Sequence, residues 1–265
     1  MTDILALAEQ LDDAARLGRA VPQLSARHNL TLDDAQAIQH GVVARRLARG
    51  ERPAGLKLGP ASPAGLRALG LDAPIGGRLT SAMAVPDGGE IDPAGFIDLR
   101  VEVEIAFLLR RDLPPGDIAA GARDAVEAVA PALELADSRY PGYRFTLADL
   151  VADNCCAAGY VLGAWQDPAA LAGRGLSLDN LGMTLCLDGR LVQTASTGAI
   201  MGDPWRMAAH GLRHAAATGQ DLSGGQILLS GAPAPPLPVA GAVHVSAEVQ
   251  GLGCVAVSLR GPRSV

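Results

Sequence analysis

The chain has 265 residues, a formal net charge of −6 at pH 7 and 49% hydrophobic residues. This length allows one large domain or two small ones, and the hydrophobic share is enough for a substantial core. No cluster of lysine or arginine exceeds a pair, so we expect no nucleic-acid partner. No apolar run reaches the roughly 18 residues of a transmembrane helix, so we expect no membrane partner.

The cysteines indicate a reducing compartment. Cys155, Cys156, Cys186 and Cys254 show no C-x-x-C spacing, and we predict that they are reduced, buried thiols. The N-terminal segment MTDILALAEQLDD is acidic and lacks the basic start of a signal peptide. Both features favour a cytoplasmic protein.

Two helices are predicted at the start of the chain. Residues 3–18 place apolar side chains on one helical face, namely Ile4, Leu5, Leu7, Ala8 and Leu11. Thr31 is the predicted N-cap of a second helix that runs to about Gly50. We expect residues 1–52 to form a small helical layer on a catalytic unit of residues 53–265, the two being one continuous structure.

Strands and scattered helices are predicted for the rest of the chain. The apolar patterns predict strands at 55–59, 100–109, 131–137, 227–231, 243–250 and 254–260, and helices at 62–72, 118–130 and 203–219. The segment APIGGRLTSAM (73–83) is expected to be a glycine-rich loop that leads into short strands. Asp188-Gly189 divides two alternating runs, which predicts a hairpin with a type I′ turn.

One lysine stands out among the basic residues. Lys57 is the only lysine in the chain, whereas arginine is abundant. Lysine can lose its proton near neutral pH when it is buried, and arginine cannot. Lys57 is therefore either a chance survivor of a bias toward arginine or a residue with a chemical role.

Two glutamates share a face of the strongest predicted strand. Glu102 and Glu104 are two residues apart in RVEVEIAFLL, so their side chains point the same way. Neighbouring carboxylates repel, and a divalent cation such as Mg²⁺ would remove the conflict. A solvated strand face is the simpler interpretation of this pair on its own.

A third carboxylate lies in an apolar run. Glu134 belongs to PALELAD, where an acidic side chain needs a partner. It could complete a three-carboxylate metal site with Glu102 and Glu104, or form a buried salt bridge, for example to Arg139. The histidines are scattered without zinc-binding spacing.

These motifs together resemble one enzyme family. GLKLG, RVEVEIAFLL, ALELADSRY, LVADN and STGAIMGDP follow one another between about residues 35 and 258. Their combination and order are similar to the 2-oxopent-4-enoate hydratase and 4-oxalocrotonate decarboxylase family, within the fumarylacetoacetate hydrolase superfamily. The motif E-x-E followed by E-x-x-D-S-R and A-D-N is far more specific for this family than any one of the three motifs alone.

The resemblance implies a fold and a metal. The fold is α+β, a mixed and strongly curved β-sheet roll with flanking helices. The resemblance also implies Mg²⁺ or Mn²⁺ bound by Glu102, Glu104 and Glu134. Lys57 matches the lysine of the family's G-x-K-x-G motif, which reaches the substrate.

Differences within the family favour the decarboxylase branch. Hydratases of the family carry an acidic residue at the position of Ile75, where it helps to handle water. An isoleucine can neither activate water nor transfer a proton. PIGGRLT and DSRYPGYRF also resemble the decarboxylase versions of these segments. Pro60-Ala61-Ser62, Asp203 and SGAPAPPLPV depart from the family pattern, so the substrate pocket is expected to differ.

The implied reaction is decarboxylation of a conjugated 2-oxo acid, typified by 2-oxohex-3-enedioate, with the cation as Lewis acid. Lys57 is a candidate to contact the developing oxyanion or to move a proton, with its pKa lowered by the cation and an apolar surround. Arg139 is a candidate carboxylate clamp, or a partner of Asp137 or Glu134.

Further positions are predicted to contact the substrate or to support the metal ligands. Asp153 and Asn154 would orient the metal site, or simply cap a helix. Ser196 and Thr197 would bind a substrate carboxylate, or serve ordinary turn chemistry. Ser62, in one of the departing segments, and Ile75 are candidate substrate contacts.

Other functions stay open at this stage. The first alternative is the hydratase, which adds water to 2-hydroxypentadienoate. An acylpyruvate hydrolase would need a His–Glu pair, and His28 has no clear partner pattern. The chain could also be a non-catalytic partner of a related enzyme. We expect a homo-oligomer, and the resemblance adds a possible complex with a related hydratase.

Overall fold

The computed structural model describes residues 3–113, 121–239 and 241–260. Its helices are α1 (Ile4–Leu17), α2 (Leu32–Ala48), α3 (Pro63–Leu69), α4 (Ala122–Ala125), α5 (Leu147–Ala152), α6 (Pro168–Gly173) and α7 (Pro204–Ala217). None of the helices in these ranges is long and apolar enough to cross a bilayer.

The strands form two sheets. They are β1 (Pro53–Gly59), β2 (Ile75–Thr80), β3 (Ala84–Val85), β4 (Glu90–Ile91), β5 (Arg100–Leu109), β6 (Val126–Ala136), β7 (Ala157–Leu162), β8 (Gly182–Leu187), β9 (Arg190–Ser196), β10 (Ile227–Leu229), β11 (Leu237–Pro238), β12 (His244–Val249) and β13 (Gly253–Leu259). The larger sheet has eight strands in the order β2-β1-β10-β5-β6-β7-β3, and β11 pairs with β5. Parallel pairs β1–β10 and β3–β7 stand among antiparallel ones, so this sheet is mixed. The smaller sheet has the order β4-β13-β12-β8-β9.

The main core lies between these sheets and decides which way the glutamates point. Val101, Val103 and Ile105 of β5 are buried in this core, as are Leu133 and Leu135 of β6. Because side chains alternate along a strand, the residues between them point to the opposite face. The three predicted glutamates therefore share that opposite face.

The N-terminal helices α1 and α2 pack against each other. Thr31 caps α2 with a capping box, and α1 and α2 share a buried cluster with Tyr140, Val151 and Ala152. The predicted inward position of Leu5 is wrong, since this side chain is 76% exposed. The buried stripe of α1 follows Leu7, Ala8, Leu11 and Ala14 instead. The division at residue 52 stays a prediction.

Two other local predictions are wrong. The helix expected at 118–130 is confined, among the described residues, to α4, and β6 begins at Val126 because its backbone pairs with β5; residues 118–120 lie outside the described residues. The glycine-rich loop forms strand β2 from Ile75, paired with β1. The hairpin is confirmed, with positive φ of 50° at Asp188 and 74° at Gly189.

Candidate metal and substrate site

A cavity of about 510 Å³ lies against the glutamate-bearing face of β5 and β6. The rest of its wall is formed by β1, α3, the start of β2, residues of the 143–156 segment and the proline-rich loop 231–236. Six predicted site residues line it: Lys57, Ser62, Ile75, Glu102, Glu104 and Glu134. The structure thus brings together side chains that lie far apart in the sequence.

The three glutamates form a compact cluster of carboxylates. Glu102 and Glu134 are direct partners in the register of β5 and β6. One oxygen from each of these and one from Glu104 lie within 4.8 Å of one another. Glu104 Oε1 and Glu134 Oε2 are buried without a hydrogen-bond partner in the described structure. Oxygen ligands converging in this way, with unpartnered atoms, suit a hard divalent cation.

Burial and mutual repulsion raise the pKa values of Glu102 and Glu104. Burial raises the pKa of Glu102 to about 8, the charge of Glu134 adds to the shift, and Lys57 opposes it. Burial also raises the pKa of Glu104 well above its usual value, with further increases from Glu134 and Glu102. Without a cation these carboxylates therefore tend to keep protons, which a bound cation would displace.

Lys57 reaches the cluster from β1. Its Nζ forms an ion pair with Glu134 Oε1 at 2.6 Å. Nζ donates a hydrogen bond to the carbonyl oxygen of Cys155 at 2.9 Å. Burial acts to lower the pKa of Lys57, but the charges of Glu134, Glu102 and Glu104 raise it above its usual value. The expected lowering is therefore not found in the metal-free chain, because three carboxylates outweigh desolvation.

A backbone N–H donates a hydrogen bond to Glu104, the third candidate metal ligand. Gly231 donates its N–H to Glu104 Oε2 at 2.8 Å, and its φ is 73°. A Cβ at this position would lie 2.7 Å from the carbonyl oxygen of Leu58. Next to it, Ser230 Oγ accepts the N–H of Ile105 at 3.0 Å. This glycine turn therefore joins β5 to the proline-rich loop of the cavity wall.

Arg139 and Asp153 lie outside the cavity lining. The Arg139 guanidinium pairs with the Asp153 carboxylate, which also accepts the Arg139 backbone N–H at 3.0 Å. Both side chains are buried, and burial raises the pKa of Asp153 to about 6 although Arg139 opposes the shift. The structure therefore gives Arg139 a partner other than the predicted Asp137 or Glu134, and does not bring it to the cavity. Asp153 likewise contacts Arg139 rather than a metal ligand.

Ser196 and Thr197 are engaged in their own turn. Thr197 Oγ1 accepts the N–H of Leu181 at 2.8 Å and is fully buried. Ser196 Oγ accepts the N–H of Gly198 at 3.1 Å. Neither residue is among those that line the cavity, so the structure favours the turn chemistry left open by the sequence.

Several cavity residues were not singled out from the sequence. The wall includes Tyr143, Phe145, Leu150, Cys155 and Cys156, together with the loop 231–236. DSRYPGYRF and SGAPAPPLPV pointed to two of these segments without giving a role to their side chains. Of the four cysteines, only Cys155 and Cys156 are buried as predicted, since Cys254 is exposed and Cys186 is half-buried.

The turn before β7 has an uncommon backbone. Asn154, Cys155 and Cys156 have φ values of 50°, 52° and 61°. This left-handed region costs roughly 1–2 kcal/mol for each residue with a Cβ. Three such residues in succession persist only where the surroundings fix them, and here they aim the Cys155 carbonyl at Lys57.

The fold and the carboxylate cluster define the class of protein. A family model described as "Fumarylacetoacetate (FAA) hydrolase C-terminal" matches residues 72–260. The chain belongs to the fumarylacetoacetate hydrolase family, as its motifs indicated.

Particular relatives narrow the resemblance. The chain is 41% identical over 257 residues to a 4-oxalocrotonate decarboxylase of Pseudomonas sp, covering 97% of this chain and 98% of the relative. It is 34% identical over 260 residues to a 2-keto-4-pentenoate hydratase of Burkholderia vietnamiensis, with 95% of each chain covered. Decarboxylases and hydratases are both lyases, which confirms the predicted enzyme class.

A solved structure shares the whole fold. It is the 4-oxalocrotonate decarboxylase of Pseudomonas putida G7, complexed with magnesium and adipate. The TM-score is 0.88 at 28% identity, covering 98% of this chain and 99% of that one. The predicted α+β fold with a mixed, curved sheet is therefore confirmed.

Proposed function

We propose that the protein is a divalent-metal-dependent decarboxylase of 2-oxohex-3-enedioate, the systematic name of 4-oxalocrotonate. The products are 2-hydroxypenta-2,4-dienoate and CO₂. The observation that carries this choice is the cavity wall around the carboxylate cluster. Ile75 stands in that wall, at the position where the resemblance places an acidic residue in hydratases.

The donor set supports a cation at the cluster. Glu102, Glu104 and Glu134 would hold it through converging, partly unpartnered oxygens. When bound, it would supply Lewis-acid stabilisation to the 2-oxo acid end of the substrate. We propose Mg²⁺ or Mn²⁺, and magnesium is present in the Pseudomonas putida G7 relative.

The charge changes of the reaction suit the residues of this chain. The bond between C5 and the distal carboxyl carbon breaks, and CO₂ leaves. The electron pair moves through the alkene to the C2 oxygen, and the resulting dienolate takes up one proton. Lys57 places a positive charge and N–H donors beside the cluster, so we propose that it donates a hydrogen bond to this oxygen.

Much of the cavity lining is apolar. Tyr143, Phe145 and Leu150 contribute to this apolar wall, and within the described lining Lys57 is the one cationic side chain. A carboxylate in such surroundings is poorly stabilised, whereas neutral CO₂ is not affected. We propose that this wall faces the departing carboxylate and that Ser62 contacts the substrate from the start of α3.

The test is an assay of CO₂ release from 2-oxohex-3-enedioate with Mg²⁺ and with EDTA. We expect metal-dependent CO₂ that Glu104→Gln and Lys57→Met reduce at least a hundredfold. Formation of 4-hydroxy-2-oxopentanoate from 2-hydroxypentadienoate instead would establish the hydratase. Failure to bind Mg²⁺ or Mn²⁺, with no turnover of either acid, would indicate a non-catalytic partner.

Three broader expectations complete the proposal. We propose a homo-oligomer, an association with a related hydratase that takes up the dienoate product, and a cytoplasmic location. The small-molecule substrate is supported by the names of the relatives.

A further inference from the structure

The turn at Asn154 is built into the edge of the larger sheet. The Asn154 side chain accepts the backbone N–H of Arg78 at 2.7 Å and donates to the carbonyl oxygen of Arg78 at 2.9 Å. Asn154 is 2% exposed. The Asn154 side-chain amide therefore pairs with both the N–H and the carbonyl oxygen of Arg78, as the backbone of a neighbouring strand would.

Gly77 makes room for this turn. It is the register partner of Lys57 in the β1–β2 pair. A Cβ on Gly77 would lie 2.3 Å from the carbonyl oxygen of Asn154 and 3.2 Å from Lys57 Cδ. Gly76 has the opposite orientation, since a Cβ there would lie 2.7 Å from the ring of His214.

The turn gives Lys57 a second partner besides Glu134, the carbonyl oxygen of Cys155. Nζ has two close oxygen partners, the carbonyl oxygen of Cys155 at 2.9 Å and Glu134 Oε1 at 2.6 Å. Glu134 is also a candidate metal ligand. Without the carbonyl, the ammonium group would be attracted to the carboxylates alone and would compete with a cation for them.

We propose that Asn154 is a positioning residue for Lys57. By fixing the left-handed turn, it holds the Cys155 carbonyl where that group shares the Lys57 ammonium with Glu134, so that the ammonium is not bound by the metal ligands alone. Gly77 is also required for this arrangement, because only a residue without a side chain leaves space for the turn. The part played by the substrate rests on the proposed function, whereas the position of Lys57 does not.

The position of the Lys57 side chain can be measured by NMR without an activity assay and without a bound metal. Because Lys57 is the only lysine, labelling with [ε-¹³C]lysine gives a single side-chain NMR signal. We expect Asn154→Ala and Gly77→Ala to move this signal by more than its line width in the metal-free protein. Gly76→Ala is the matched control, because it introduces the same methyl group on the same strand toward His214, and it should leave the signal in place.

Mn²⁺ titration followed by EPR tests the competition for Glu134. We expect Asn154→Ala to weaken Mn²⁺ binding at least threefold in the parent chain and to leave it unchanged in a Lys57→Met background. In the decarboxylase assay, Asn154→Ala should lower kcat at least tenfold with KM changed less than threefold.

Some results would overturn the proposal. They are an unmoved lysine signal in Asn154→Ala, an equal shift in Gly76→Ala, or the same loss of Mn²⁺ affinity with and without Lys57. A chain that binds no Mn²⁺ and releases no CO₂ would refute the proposed function, and the lysine signal would still decide the role of Asn154.

Discussion

Glu102 and Glu134 stand directly opposite each other on neighbouring antiparallel strands, with both carboxylates on the cavity face. Like charges in this arrangement destabilise a sheet unless something lies between them. Glu104 adds a third carboxylate, and Lys57 supplies one positive charge. One cation cannot balance three ionised carboxylates, so the pKa values of Glu102 and Glu104 are raised, and a divalent ion would let the cluster ionise.

Removal of one ligand candidate should separate metal binding from folding. Glu104→Gln should leave the metal-free protein close to the parent in stability, because burial and the neighbouring carboxylates disfavour the charged form of Glu104 and raise its pKa, and the amide is uncharged. Mg²⁺ at about 100 times its Kd should stabilise the parent by about 2.7 kcal/mol and the variant much less. Thermal unfolding with Mg²⁺ or EDTA measures both effects.

Glu127→Gln is the control for that experiment, since Glu127 lies on the same strand β6 and is exposed. It should keep the full stabilisation by Mg²⁺. An unchanged response to Mg²⁺ in Glu104→Gln would remove Glu104 from the ligand set.

The stability of the metal-free protein should depend on pH in a defined direction. Burial raises the pKa of Glu102 from 4.5 to about 8 in the folded chain, so the folded state binds more protons than the unfolded state in this window. The contribution of Glu102 to stability is therefore complete below the unfolded value and is lost as pH rises toward 8. Urea unfolding in EDTA at intervals between about pH 5 and 9 should show this loss, and saturating Mg²⁺ should reduce it. A rise in stability over the same range would contradict the buried cluster.

The glycine that holds Glu104 should be sensitive to a single methyl group. Gly231→Ala would place a Cβ 2.7 Å from the carbonyl oxygen of Leu58 and would move the N–H that Glu104 accepts. We expect Mn²⁺ affinity to fall at least tenfold by titration calorimetry. Gly225→Ala has a similar positive φ of 82° with nothing within 4 Å of its Cβ, so it should carry the backbone strain and keep the affinity. Equal losses in the two variants would show that strain alone is responsible.

The helical layer should depend on one buried carboxylate. Asp12 of α1 is fully buried and accepts hydrogen bonds from Arg49 at 2.6 and 2.7 Å and from Arg45 at 3.0 Å. Asp12→Asn should cost about 2 kcal/mol in urea unfolding, a moderate value because both arginines are partly exposed.

The control Asp13→Asn removes a half-buried carboxylate of the same helix that pairs with the exposed Arg16 and should cost less than about 0.5 kcal/mol. Burial would raise the pKa of Asp12, but the bonds from Arg49 and Arg45 lower it below 3.8. Its contribution should therefore be present above about pH 4 and lost in more acidic solution. Equal costs for the two variants would contradict the role of Asp12.

Some of the site could be predicted because its signals are local. The alternation in RVEVEIAFLL fixed which side chains share a face, and the lone Lys57 lies beside them as its motif implied. The start of β6 was predicted to be helical because VEAVA (126–130) fits both helical and extended spacing. Pairing of Val126 with Leu109 decides the outcome, and no local pattern contains that pairing.

The positions missed depend on contacts distant in sequence. The glycines at 76 and 77 looked like a loop, yet the second is required by the approach of Asn154 in the folded chain. Arg139 lies 14 residues before its partner Asp153, and the chain between them, which includes α5, must fold back to bring the two together. Three successive positive φ values on non-glycine residues have no sequence signature.

The most direct test of the central claim compares the two reactions on one metal-loaded sample. 2-Oxohex-3-enedioate and 2-hydroxypenta-2,4-dienoate are supplied in turn, with CO₂ and 4-hydroxy-2-oxopentanoate both quantified. A decarboxylase should release one CO₂ for each dicarboxylate consumed and should accumulate the dienoate. Conversion of the dienoate to 4-hydroxy-2-oxopentanoate, without CO₂ from the dicarboxylate, would contradict the decarboxylase assignment and the interpretation of Ile75.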